Sequence, residues 1–240
     1  MTLRLAMWSG PRNISTAMMR AWENRRDCHV VDEPFYACYL QSTGIDHPMR
    51  TEVITNQSTE RKQVIAGLVG SPAPIFYQKH MTHHMLPDIE LSWTRKLHHC
   101  FLIRDPFEVI ASYSRKSATL TTEDIGIVRQ LELYEELQRI TRQKIPVVDA
   151  KAVLVNPQGV LARLCGFFDI EFLPEMLCWP PGRRESDGVW AEHWYQEVER
   201  STGFEPYRAK LLNLSKNETE IVCASMQSYE ALKASPLLIT

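Results

Sequence analysis

Short apolar runs alternate along this chain with longer stretches whose apolar positions follow helical spacing. Leu3-Arg4-Leu5-Ala6-Met7-Trp8 reads as a buried strand, and Gly10-Pro11 then turn the chain. Ser15-Thr16 open a helix carrying Ala17, Met18, Met19, Ala21 and Trp22. Cys28-His29-Val30-Val31 is a second β-prone run, ending in Asp32-Glu33, with Pro34 suited to the first position of a helix. Pro74 to Lys79 forms a third, Leu97 to Ile103 a fourth and Ile145 to Val148 a fifth. Helical patterns cover Glu60 to Val69, Pro106 to Tyr113, Thr122 to Gln143 and Pro157 to Phe168. The polar stretch from Gln41 to Ser58, with Gly44 and Pro48, reads as a loop. Strands and helices in this alternation predict an α/β fold of three layers, doubly wound around a central, mostly parallel sheet.

Composition narrows the function classes. The chain has 240 residues, 44% hydrophobic content and a net charge of −2. That supports one substantial core and places no demand for nucleic acid or an anionic membrane. Six cysteines stand singly, without a C-x-x-C pair, which suits free thiols in a reducing compartment. No run approaches the length of a membrane span, and no basic leader precedes the first strand. The expectation is a cytoplasmic protein without a membrane span.

In a doubly wound sheet, ligands sit beyond the carboxyl ends of the strands. The predicted strand ends carry Gly10 to Thr16, Asp32-Glu33, Lys79-His80 and Arg104-Asp105. Strand, turn and helix N-terminus at Gly10-Pro11-Arg12-Asn13-Ile14-Ser15-Thr16 make an anion site, because unpaired N–H groups and the positive helix end converge there. Gly10 is followed by four residues and then Ser15-Thr16, so the Walker A spacing is only half met and its Gly-Lys pair is missing. Such a loop suits a nucleotide that needs no metal better than Mg²⁺–ATP. An ordinary turn with Ser/Thr capping is the plainer alternative. Arg104, with Ser112 two helical turns later, can converge on one anion, and Arg183-Arg184 in a Gly-containing loop can close over a second. His80-x-x-His83-His84 has spacing that could chelate zinc, but no H-E-x-x-H carboxylate or cysteine pair supports it.

Together these residues resemble the sulfotransferases that use 3′-phosphoadenosine 5′-phosphosulfate, over most of the chain from Leu3 to about Trp194. The resemblance implies a P-loop NTPase-like fold and a single sulfotransferase-like domain over residues 1–240. It implies transfer of a sulfonate group to a hydroxyl or amine of a small acceptor, with that nucleotide as co-substrate and no metal required. Ser9 to Thr16 would bind the 5′-phosphosulfate, Arg104 and Ser112 the 3′-phosphate, and Arg183, Arg184 and Gly188 the closing loop. Arg12 and Lys79 would stabilise charge at the transferred group. His80 and Glu33 are rival candidates for the base that takes the acceptor's proton. A nucleotide or small-molecule kinase, and a non-catalytic nucleotide-binding module of the same fold, stay open as alternatives. The acceptor and the oligomeric state are not specified.

Overall fold

A computed structural model describes residues 2–70, 73–113, 120–209 and 213–240. In chain order the elements are β1 (Leu3–Ser9), α1 (Ser15–Glu23), β2 (Cys28–Asp32), α2 (Tyr36–Thr43), α3 (Arg50–Asn56), α4 (Arg61–Gly70) and β3 (Ile75–Met81). There follow β4 (His98–Ile103), α5 (Pro106–Tyr113), α6 (Thr122–Ile125), α7 (Ile127–Thr141), β5 (Val147–Asp149), α8 (Ala150–Val155) and α9 (Pro157–Phe167). The tail adds α10 (Ala191–Trp194), α11 (Gln196–Arg200), α12 (Lys216–Lys233) and β6 (Leu238–Ile239).

The strands form one sheet in the order β2-β3-β1-β4-β5-β6, and every pairing between them is parallel. Side chains of a strand alternate between its two faces, and β1 divides the core accordingly. Ala6 and Trp8 join Phe76, Phe101 and Ile103 in a cluster covered by α5, α7 and α12. Leu5 and Met7 join Tyr77, Cys100 and Leu102 in a second cluster under α1 and α9, with Met18, Met19, Trp22 and Leu161. A third cluster packs α2 and α3 against α10 through Tyr36, Leu40, Val53, Trp190 and Tyr195. Chain order reverses at β1, where a doubly wound sheet opens its ligand crevice.

Several local expectations change. The stretch from Gln41 to Ser58 is not all loop: α2 runs to Thr43, and α3 buries Val53 in the third cluster. Pro34 lies in a turn, and α2 begins at Tyr36. The single helix expected from Thr122 to Gln143 is broken at Gly126, whose φ of 72° lies in the left-handed region. A capping box between Thr121 and Asp124 starts α6, and α7 starts afresh after the break. β3 extends through Met81, so Lys79 and His80 lie inside the strand rather than beyond it.

The break has a positional purpose. Gly126 packs against the turn after β1, and a Cβ there would meet Gly10 Cα at 3.6 Å and Pro11 Cδ at 3.4 Å. A Cβ on Gly10 would lie 2.7 Å from the Ile125 carbonyl oxygen. Gln130 of α7 then donates to the carbonyls of Trp8 (3.1 Å) and Leu102 (2.8 Å), tying the ends of β1 and β4 together. Gly10→Ala is expected to destabilise the protein by about 1–3 kcal/mol through this overpacking. Gly67→Ala, in open space inside α4, is expected to stabilise by roughly 0.5–1 kcal/mol. Urea unfolding of the two variants checks both the size and the opposite signs.

Candidate functional site

The turn between β1 and α1 is held in an unusual conformation: Arg12 and Ile14 both have positive φ, 55° and 48°. Ile14 is the N-cap of α1 without a capping side chain, and no acidic residue lies in the first turn. The first N–H groups of α1 therefore stay available to an anion, with the helix dipole behind them. Asn13 anchors the turn by donating to the Leu102 carbonyl at 2.5 Å.

Two distant segments converge on this turn. Arg104, leaving β4, donates from a terminal guanidinium nitrogen to the Arg12 carbonyl (2.8 Å) and from Nε to Glu108 (3.0 Å). Arg12 Nε donates to Ser112 Oγ on α5 at 3.0 Å. Pro11 to Ala17, Arg104 and Ser112 line one cleft of about 480 Å³, together with Glu33, Lys79 and a set of aromatic rings. Those rings include Tyr36, His47, His84, Trp190, Trp194 and Tyr195.

Within the cleft wall lies a buried charge cluster. Lys79 Nζ donates to Asp32 Oδ1 (2.8 Å), Glu33 Oε1 (2.5 Å) and Tyr195 OH (2.8 Å). An ammonium has three donors, and all three are engaged. Burial works against the Lys79 charge, but Asp32 and Glu33 outweigh it and raise its pKa well above the ordinary value. Burial also raises the Glu33 carboxyl, against the opposing pull of Lys79. Lys79, expected to stabilise charge at the transferred group, lines the cleft with its three donors engaged by Asp32, Glu33 and Tyr195.

His80 is placed elsewhere. It follows Lys79 by one position in an extended strand, so its ring emerges on the opposite face of the sheet. There it stacks on Trp8 with centroids 4.3 Å apart, contacts Gln78 at 3.2 Å and does not line the cleft. Burial lowers its pKa to about 3. Its expected role as base is corrected on geometric grounds, and Glu33 is the candidate that faces the cleft. His83 and His84 do line it, and burial holds both neutral, His83 with a pKa lowered to about 4. Among the described residues no group of three or more His, Cys, Asp or Glu side chains is arranged to hold a metal ion.

The late basic loop is also relocated. Arg183 is exposed, Arg184 donates to the Pro180 carbonyl (3.3 Å), and neither they nor Gly188 line the cleft. That segment is instead pinned by a buried ion pair between Arg20 and Asp187 at 2.6 Å. The Gly188 N–H reaches Asp32 Oδ2 at 3.4 Å, and Tyr195 OH donates to the same oxygen at 2.7 Å. A later strap also lines the cleft, through Gly203, Phe204, Glu205, Pro206, Tyr207 and Arg208. A bridge between Cys178 and Gly203 and a hydrogen bond from Tyr207 N to the Leu154 carbonyl (3.4 Å) hold this strap. This strap was missed in the sequence, where its one local signal is the pair of aromatic residues and the arginine around Pro206.

A model of the Sulfotransferase domain matches residues 3–236. This chain belongs to the sulfotransferase family. The sulfotransferase domain is 30% identical over 199 residues to branched-chain-amino-acid aminotransferase-like protein 2 of Arabidopsis thaliana, covering 82% of this chain and 35% of that one. It is 30% identical over 229 residues to the like protein 1 of the same plant, covering 95% and 41%. The chain therefore spans less than half the length of these curated relatives. Among solved structures, the sulfotransferase domain of the Synechococcus PCC 7002 olefin synthase superposes with a TM-score of 0.56 at 14% identity, over 93% of this chain and 95% of that one. The sulfotransferase domain of the curacin biosynthetic pathway gives 0.54 at 17%, over 95% and 98%. The α/β, P-loop-like fold is shared with these domains. No helix among the described residues is long and apolar enough to cross a membrane.

The buried imidazoles of this sulfotransferase domain fix a pH dependence. His80, His83 and His99 hold pKa values lowered by burial to about 3, 4 and 4, against 6.5 for an unperturbed imidazole. Below pH 6.5 the unfolded chain binds these protons and the folded chain does not, so stability falls as pH falls. Each group costs up to about 1.4 kcal/mol per pH unit between 6.5 and its folded pKa. Urea unfolding between pH 7 and 5 is expected to show this slope, and His80→Gln to reduce it.

Proposed function

We propose that this domain transfers a sulfonate group from 3′-phosphoadenosine 5′-phosphosulfate to a hydroxyl or amine of a small acceptor, with residues 1–240 acting as one domain. The observation that carries this reading is the meeting of Arg104 and Ser112 with Arg12 on the wall of a cleft that also contains Glu33. The residues fit the donor. The first turn of α1 offers N–H groups and carries no acidic residue of its own, and Arg12 and Arg104 line the same cleft. A cleft of about 480 Å³ is of the size that ligands of this class occupy.

In this reading the loop from Gly10 to Thr16 holds the 5′-phosphosulfate, while Arg104 and Ser112 hold the 3′-phosphate. Arg208 of the strap takes the place first expected of Arg183 and Arg184. Glu33 accepts the proton of the acceptor hydroxyl as the oxygen–sulfur bond forms. The bond from sulfur to the 5′-phosphate oxygen breaks, and Arg12 with the backbone N–H groups stabilises the charge left on that oxygen. A sulfonate carries less charge than a phosphoryl group, so these donors supply the stabilisation without calling on a divalent ion. The aromatic rings from α2 and α10 provide a largely apolar seat for the acceptor beside Glu33.

Isothermal titration with adenosine 3′,5′-bisphosphate is the direct test. Binding is expected, weakened at least tenfold in Arg104→Ala, a loss of about 1.4 kcal/mol. Absence of binding at millimolar concentration overturns the reading, and unchanged affinity in Arg104→Ala removes the 3′-phosphate assignment. With ³⁵S-labelled donor and a panel of hydroxyl and amine acceptors, Glu33→Gln is expected to lose transfer while retaining bisphosphate affinity. Because the Glu33 carboxyl is raised, the acid limb of the rate profile is expected above the ordinary carboxylate range.

A further inference from the structure

We propose that Lys79, Tyr195 and Asp32 form a positioning unit that fixes the Glu33 carboxylate in the cleft wall and keeps it ready to take a proton. The inference rests on the reading of Glu33 as the base, and it explains why two adjacent carboxylates share one buried lysine.

The two carboxylates are used differently. Asp32 is saturated: Oδ1 accepts from Lys79 at 2.8 Å, and Oδ2 accepts from Tyr195 OH at 2.7 Å and from Gly188 N at 3.4 Å. Glu33 Oε1 accepts from Lys79 at 2.5 Å and lies 3.5 Å from Tyr195 OH, while Oε2 has no partner among the described residues. Asp32 does not line the cleft and Glu33 does. One carboxylate is consumed in holding the lysine, and the other presents an open edge to the cavity.

Tyr195 makes this division possible. Its hydroxyl accepts from Lys79 (2.8 Å) and from Trp190 Nε1 (3.1 Å) and donates to Asp32, so its single proton and both lone pairs are engaged. Without that hydroxyl Asp32 would draw the ammonium toward itself and away from Glu33. The remaining titratable and charged groups that face Glu33 or share its cavity are Tyr36 of α2, Tyr113 of α5, His83 and His84 after β3, His47, Arg12, Arg104 and Glu197, and Glu205, Tyr207 and Arg208 of the strap. Within the unit, Lys79 is the cation in direct contact with Glu33.

The unit is tested on the full chain, without donor or acceptor, by ¹³C NMR of glutamate side-chain carboxyls. The Glu33 signal is assigned by its loss in Glu33→Gln. Lys79→Met is expected to raise the Glu33 titration midpoint by about one to three pH units. Tyr195→Phe, which deletes one oxygen and keeps the ring, is expected to raise it by a smaller amount. A midpoint that stays in place in both variants overturns the proposal. Where Lys79→Met does not fold, an unmoved midpoint in Tyr195→Phe alone overturns it. Failure of bisphosphate binding would remove the transferase reading and leave this titration unaffected, so the two failures are distinguishable.

Discussion

A buried ammonium needs anions, and the placement of Lys79 organises much of this molecule. Leaving one charge of such a cluster uncompensated costs about 3–5 kcal/mol. Asp32 comes from the end of β2, Glu33 from the residue after it, and Tyr195 from the junction of α10 and α11, more than a hundred positions further along the chain. Strand pairing of β2 with β3 places Asp32 level with Lys79. The tail is then drawn onto the sheet because the lysine and Asp32 require the tyrosine hydroxyl. One electrostatic requirement therefore shapes both the cleft wall and the route of the chain that covers it.

The opposite side of the cleft depends on close backbone approach. Gly10 and Gly126 face each other, which brings the β1–α1 turn against the start of α7. Gln130 can then satisfy two strand-end carbonyls, and Arg104 can reach the Arg12 carbonyl. The cations of the site are positioned by backbone acceptors as well as by carboxylates. Their side chains are thus oriented before any anionic ligand arrives.

Much of this was legible in the sequence. The five strands, α1, α5 and α9 follow from apolar runs and their punctuation, and Arg104 and Ser112 both contact Arg12 in the turn between β1 and α1. The break at Gly126 was hidden because apolar positions continue with helical spacing on both sides of it. His80 and Lys79 were grouped by adjacency, although period-two alternation separates them onto opposite faces. The strap from Gly203 to Arg208 has no regular element to mark it, being held by one bridge and scattered hydrogen bonds. Tyr195 was invisible for another reason: its partners are distant in sequence, and nothing local announces them.

The buried pair between Arg20 and Asp187 has a consequence for how this protein comes into being. Its members are separated by 167 positions, and the contact that seats Tyr195 against Asp32 by 163. Closing loops of that length precedes any reward from the contacts, so such pairings belong late in folding. On a ribosome, β1 and α1 emerge long before the segment that completes the charge cluster. Until then the Arg20 guanidinium and the Lys79 ammonium must remain hydrated, and the wall around Glu33 is incomplete. The cleft wall is thereby completed only after the segment carrying Asp187 and Tyr195 has been made, which couples the site's competence to residues far from its first strand.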